Sequence, residues 1–344
     1  MKRHLNTLFV MTPGAYLSKR GESVVVRIEK EVKASVPLHN IGAIVCFGGI
    51  GCSPSMMEAC ADAGIAVSFM KRSGRLLAKV SGFTSGNVLL RREQYRRADS
   101  DADTAAIAKS IILAKVANSR TVLLRAAREA VSPESAEPLT TAANHLGQSL
   151  DMIETRHELD VLRGYEGEAA RTYYNVFNWM IRNKNEAFVF HRRSKRPPLD
   201  VPNAMLSFLY AMLANDARSA CEAAGLDAGI GYLHRDRPGR PGLAMDLIEE
   251  FRAYLADRVV LTLINRQQVA ADGFESDESG AVRMNDETRK VILATYQKRK
   301  QVEIEHPFLK EKTTIGLLIH LQARLLSRYL RGELDAYPAF IARG

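Results

Sequence analysis

Apolar and polar positions change rhythm once along the chain. Up to about residue 85 the apolar residues come in short β-prone runs, at 5–11, 15–18, 23–28, 32–36, 43–47, 65–70 and 76–80, separated by Gly, Pro, Asn or charged turns. One helical stretch interrupts them. Ser55 and Glu58 have capping-box spacing, Met56, Met57, Cys60 and Ala61 follow at helical intervals, and Gly64 is placed to stop the helix. This pattern predicts a β-rich, sandwich-like unit carrying one helix.

From residue 104 the period is helical. Helices are expected over 104–130, 140–156, 159–183, 203–224, 243–257, 259–271, 285–300 and 314–331, with a break at 131–139 where two prolines fall. A hairpin about Ser279-Gly280 is expected within 273–284. Residues 86–103 turn from basic to acidic-polar and read as a connection. The expected fold is therefore α+β in two domains: β-rich over 1–85, a linker over 86–103, and a larger all-α domain over 104–344. A chain of 344 residues suits that division.

The run Gly48-Gly49-Ile50-Gly51 invites a dinucleotide-binding reading, but Pro54 stands where a third glycine is needed and no acidic residue closes a second strand. The neighbouring strands read as joined by tight turns, not βαβ crossovers. A glycine turn entering a helix is the simpler reading.

Composition adds class and compartment. Hydrophobic content of 46% and charged content of 25% are ordinary globular values, and a net charge of +9 suits a polyanionic partner. The four cysteines, Cys46, Cys52, Cys60 and Cys221, form no C-x-x-C pair, which fits a reduced, cytoplasmic setting. The N-terminus lacks the apolar core of a signal peptide, and no apolar run is long enough to span a bilayer, so a soluble protein is expected.

Candidate chemistry concentrates in 231–250. His234 lies in a Gly/Pro-rich loop with Arg235, Arg237 and Arg240, followed by Asp246 and Glu249 one helical turn apart. Ala244, Leu247, Ile248, Phe251, Tyr254 and Leu255 form the apolar stripe of that helix, leaving Asp246, Glu249 and Glu250 on the other side. An acidic face opposite a core stripe is either solvated or lines a cleft. Glu166 is the upstream candidate to join it, because Gly164 and Gly167 flank it at a helical cost of about 1 kcal/mol each, as though something approaches closely. Glu168 points to the opposite face, and a local salt bridge of Glu166 with Arg163 is the competing reading. Imidazole with carboxylates suits a hard or borderline divalent metal, and adjacent arginines suit phosphates.

Arg192, Arg193, Lys195 and Arg196, before Pro197-Pro198, form a second basic cluster fit to hold phosphates; Arg91, Arg92, Arg96 and Arg97 with Tyr95 form another. Tyr173, Tyr174, Phe177 and Trp179 have the spacing of core residues. Arg156-His157-Glu158 lacks the second histidine of a zinc-protease helix.

Six stretches carry a family resemblance: GYEGEAAR at 164–171, RPPLDVPNAMLSF at 196–208, GLD at 225–227, GYLH at 231–234, LAMDLIEEFR at 243–252 and RGELDAY at 331–337. They resemble the CRISPR-associated integrase and endonuclease family that captures foreign DNA fragments as new spacers. The opening MKRHLNTLFV and the tail are similar to the branch found with type I-C systems. The resemblance implies Mg²⁺ or Mn²⁺ held by Glu166, His234 and Asp246, with Glu249 at a position where the family often has a further aspartate; glutamate lengthens that arm. It also implies a homodimer with 1–85 as its dimerisation domain, a small ferredoxin-like CRISPR-associated partner, and double-stranded DNA, both fragment and repeat, as substrate. The reaction would be transesterification by a DNA 3′-hydroxyl, with Arg237, Arg240 and the 192–196 cluster clamping phosphates. A stand-alone repair nuclease and a non-catalytic DNA-binding scaffold are the alternative readings.

Overall fold

The computed structural model describes residues 6–82 and 87–343. The basic start of the chain and Gly86, the first residue of the expected linker, lie outside them. The chain forms two compact units, Met1–Ser85 and Gly86–Gly344.

Among its described residues the first unit holds eight strands and one α-helix: β1 Thr7–Val10, β2 Tyr16–Arg20, β3 Ser23–Ile28, β4 Glu31–Pro37, β5 Ala43–Phe47, β6 Gly51–Cys52, α1 Pro54–Asp62, β7 Ala66–Met70 and β8 Leu76–Val80. They form two four-stranded sheets, ordered β1-β5-β7-β8 and β4-β3-β2-β6. Inward side chains of both sheets share one core: Leu17, Val24 and Val26 from the second meet Ile44, Cys46 and Val67 from the first, with Met56 and Cys60 of α1. This is the sandwich-like unit with one helix that the short β-prone runs predict. Burial pushes the Cys46 and Cys60 thiols up to about 12 and about 11, so both are inert core residues.

Two local expectations fail here. β5 and β7 are parallel and adjacent, with α1 in the connection between them, so a crossover is present where tight turns were expected. The helix also begins earlier, since the Ser53 hydroxyl accepts from Met56 N at 3.2 Å and Pro54 takes the first helical position, where its missing N–H costs nothing. Gly48, with φ +82°, turns the chain and donates its N–H to Met70 O.

The second unit is helical with two small hairpins. Its elements are α2 Val88–Ala98, α3 Asp101–Arg128, α4 Pro133–Glu154, α5 Leu159–Asn175, α6 Val201–Ala223, α7 Gly242–Glu249, α8 Arg258–Asn265, β9 Phe274–Ser276, β10 Val282–Met284, α9 Asp286–Lys300, β11 Glu303–Glu305, β12 Lys312–Thr314 and α10 Ile315–Leu330. β9 and β10 are the expected hairpin, turned at Gly280; the β11/β12 hairpin was not expected. Most of the stretch read as a linker is α2. Its charges hide a buried face: Leu90 and Gln94 are inside, and the Gln94 amide donates to Asp227 O and Ile230 O while accepting from Asp227 N. That glutamine fixes the start of the loop that carries His234.

The proline break is also shorter than expected. Pro133 opens α4 behind a Ser132/Ser135 capping box, and Pro138 lies inside the helix. The helix expected over 159–183 stops at Asn175 and gives way to a 3₁₀ turn, Phe177–Met180. Between α7 and α8 the chain winds as a π turn, Arg252–Asp257, a form that often marks functional segments. Around it three acids, Glu249, Glu250 and Asp257, are buried.

Candidate active site

The loop before α7 folds back over the helix at two glycines. A Cβ on Gly231 would lie 2.6 Å from Asp246 Oδ2, and one on Gly242 would lie 2.6 Å from Gly229 O, so only glycine permits this approach. The approach aims three backbone donors at Asp246. Tyr232 N and Leu233 N donate to Oδ2 at 2.6 and 3.0 Å, and His234 N donates to Oδ1 at 3.0 Å.

His234 Nδ1 lies 2.7 Å from the same Oδ1. A carboxylate only accepts, so Nδ1–H donates and Nε2 is left with its lone pair. Nε2 is 3.7 Å from Glu249 Oε1. Asp246 itself is 0% exposed and both its oxygens are occupied within the chain. It therefore stands behind His234, while Glu249 stands beside it.

Glu249 is 2% exposed and meets two cations: Arg252 Nη1 at 2.6 Å from Oε1 and Lys115 Nζ at 2.7 Å from Oε2. Burial alone would push this carboxyl up, but Arg252 and Lys115 outweigh it and hold it at about 2. Lys115, on α3, also contacts Glu166 Oε1. Burial pulls its ammonium down, yet Glu249 and Glu166 leave it above the ordinary lysine value. Glu250 faces elsewhere: it accepts from Tyr337 OH, Phe340 N and Gln322 Nε2, and burial pushes it up to about 7.

Glu166 borders two cavities. One, of about 70 Å³, is lined by Lys115, Lys195, Tyr210, Glu249 and Arg252; the other, of about 300 Å³, by His234, Arg163, Arg235, Arg237 and Arg240. Arg163 does not pair with Glu166; it donates to Leu233 O and Asp160, tying α5 to the loop. The flanking glycines also differ from expectation, because among the described residues no neighbour outside the helix's own backbone comes within 4 Å of a Cβ at Gly164 or Gly167. Glu168 turns to the other face and pairs with His145 at 3.6 Å.

The basic residues divide. Arg237 and Arg240 line the larger cavity, Lys195 the smaller one, and Arg192 and Arg196 are exposed. Arg193 is committed to the fold: it donates to Asn203 Oδ1 at 2.6 Å and lies over the Tyr174 and Tyr210 rings. In α2, Arg97 pairs with Glu93 and Asp103, and Tyr95 OH donates to Asp227. Tyr173 and Phe177 are buried as expected, but Trp179 is 49% exposed.

Lys115 and Arg252 were missed. A lysine inside the apolar run Ile111–Ala117 and an arginine one turn after Glu249 were the available signals. Among the described residues no three His, Cys, Asp or Glu side chains converge as a ready-made metal cage. The donors nonetheless suit a divalent ion: an oriented imidazole, two carboxylates holding a cation between them, and a buried Glu249 Oε2 with no aligned hydrogen bond.

The sequence profile of the CRISPR associated protein Cas1 family matches residues 8–298. The chain is 48% identical over 343 residues to CRISPR-associated endonuclease Cas1 1 of Chlorobaculum tepidum, covering 100% of both chains. Its fold is similar to a casposase bound to integration product, with a TM-score of 0.83 at 21% identity over 97% of this chain and 93% of that one. It is similar also to a chain of a Cas6-RT-Cas1–Cas2 complex, with a TM-score of 0.82 at 22% identity over 100% of this chain and 37% of that longer one. The family profile and the extent of the first likeness show that the chain belongs to the Cas1 family of CRISPR-associated proteins.

Proposed function

We propose that the protein is a metal-dependent DNA endonuclease and integrase that inserts short foreign fragments into a CRISPR array as new spacers. The observation that carries this reading is the arrangement of His234, held by Asp246, beside Glu249 at an arginine-lined cavity that Glu166 also borders. The endonuclease name of the Chlorobaculum relative and the casposase bound to integration product support the same chemistry. Glu166, His234 and Glu249 are the residues that would hold Mg²⁺ or Mn²⁺, imidazole favouring Mn²⁺. Asp246, the expected ligand, is assigned instead to orienting His234.

A divalent ion there supplies Lewis-acid polarisation of the scissile phosphate. The chain's own residues do the positioning. Arg237, Arg240 and Lys195, with Arg192 and Arg196 outside, hold phosphates by charge-assisted hydrogen bonds, and Arg252 fixes Glu249. A fragment 3′-oxygen forms the new bond to phosphorus in line as the bond to the leaving 3′-oxygen of the target strand breaks.

The same reading takes the chain as a cytoplasmic member of the type I-C branch, a homodimer through 1–85, working with a small ferredoxin-like partner. A Cas1–Cas2 assembly among its structural relatives supports such a partner. No helix among the described residues is long and apolar enough to cross a membrane. The test is incubation with a duplex bearing 3′-hydroxyls, a repeat-containing plasmid, Mn²⁺ and the partner. Covalent joining that needs the metal is expected; no metal-dependent reaction would favour a scaffold, and cutting of branched DNA without joining would favour a repair nuclease.

A further inference from the structure

The metal-binding reading leaves one buried cation without a task. The Lys115 side chain is 13% exposed and its ammonium contacts Glu166 Oε1 and Glu249 Oε2, the two carboxylates the metal needs. Arg252 already serves the other oxygen of Glu249, at 2.6 Å. Two carboxylates and two cations are thus balanced before any metal arrives. A dication added with Lys115 in place would put four positive charges against those two acids in a partly enclosed site.

The ammonium is also shared between the two acids and does not saturate Glu249. Oε2 is buried and Lys115 Nζ is 2.7 Å away, yet no hydrogen bond is aligned on that oxygen. Beside Lys115 lies the cavity of about 70 Å³ lined by Lys195, Tyr210 and Arg252, room for the ammonium to turn into. We propose that Lys115 is a built-in counter-ion that occupies the cation position between Glu166 and Glu249 in the metal-free protein and is displaced by the incoming divalent metal. It follows that no three ligands converge until Lys115 leaves, and that its charge restrains metal loading. The displaced ammonium then faces the cavity in which the other cations gather, where a substrate phosphate is its natural partner.

The inference rests on Glu166 and Glu249 being metal ligands, and the test separates the two. Mn²⁺ is titrated calorimetrically into the full-length wild type, Lys115→Met and Lys115→Arg. Lys115→Met is expected to bind Mn²⁺ about ten-fold more tightly than wild type, the worth of one charge-assisted hydrogen bond, and Lys115→Arg within about three-fold of wild type. Acetylation of wild-type Lys115 by an N-hydroxysuccinimide ester, read by mass spectrometry, should rise when Mn²⁺ is added; this arm stands if Lys115→Met does not fold. Equal or weaker Mn²⁺ binding by folded Lys115→Met, or acetylation indifferent to Mn²⁺, overturns the proposal while the metal site stands. No Mn²⁺ binding by any form overturns both.

Discussion

His234 Nδ1 lies 2.7 Å from Asp246 Oδ1, and the remaining capacity of that carboxylate is taken by the backbone N–H groups of Tyr232, Leu233 and His234. Asp246 thus holds a loop and an imidazole at once. Asp246→Ala is expected to cost about 2–4 kcal/mol of stability, because buried amides lose their acceptor, whereas His234→Ala costs under about 1 kcal/mol. Urea unfolding of the two variants measures this. Equal stabilities would mean that the carboxylate does not organise the loop.

Glu249 is the hub of the buried charges, between Lys115 and Arg252. Glu249→Ala leaves Arg252 without its carboxylate and Lys115 with Glu166 alone, and is expected to lose about 2–4 kcal/mol in metal-free buffer, together with DNA joining. The conservative Glu249→Asp should keep much of the stability, because one carboxylate still faces both cations. Thermal melts with chelator present decide the stability half of this prediction, apart from any catalytic effect.

The buried acids give stability a pH dependence of known sign. Burial pushes Asp257 up to about 6 despite hydrogen bonds from Tyr210 and Tyr173. A carboxyl raised above its unfolded value of about 3.9 contributes stability that is complete below that value and is lost as pH rises through about 6. Glu250, at about 7, acts in the same direction. Glu249, held at about 2, acts in the opposite one, with its contribution present above about 4.3 and lost only in strong acid. Denaturant midpoints between pH 4 and pH 7 should therefore fall less steeply for Asp257→Asn than for wild type.

Arginines with different partners should behave differently. Arg237→Ala and Arg240→Ala, in the open cavity, should weaken DNA binding and each reduce the salt slope by about 1 with little change in melting. Arg193→Lys removes the guanidinium that bonds Asn203 and lies over Tyr174 and Tyr210. It should lower stability by about 1–2 kcal/mol, since lysine cannot keep both the fork and the stacking. Fluorescence anisotropy at several salt concentrations, beside melts, separates the two classes.

Regular periodicity made much of this fold legible. The strands at 23–28 and 43–47 read correctly because they are short, unbroken β-branched apolar runs between turn residues, and α6 and α10 because their apolar stripes are long. α2 was hidden because the residues it buries are one leucine and a glutamine amid arginines. Glu166, His234, Asp246 and Glu249 stand out by residue type and spacing, but their ranks do not. Which acid on α7 faces His234 Nε2 and which supports the ring depends on a loop folding back over Gly231 and Gly242. Lys115, distant in sequence, reaches the same carboxylates only through the packing of α3 against α5 and α7.

The central claim, that Glu249 with Glu166 and His234 holds the metal while Asp246 supports the histidine, is tested most directly by electron paramagnetic resonance titration of Mn²⁺. Wild type is expected to take up Mn²⁺ at the site, Asp246→Asn to retain binding within about ten-fold, and Glu249→Ala to lose it by about a hundred-fold or more. Undiminished Mn²⁺ binding by Glu249→Ala, with binding abolished in Asp246→Asn, would contradict the account.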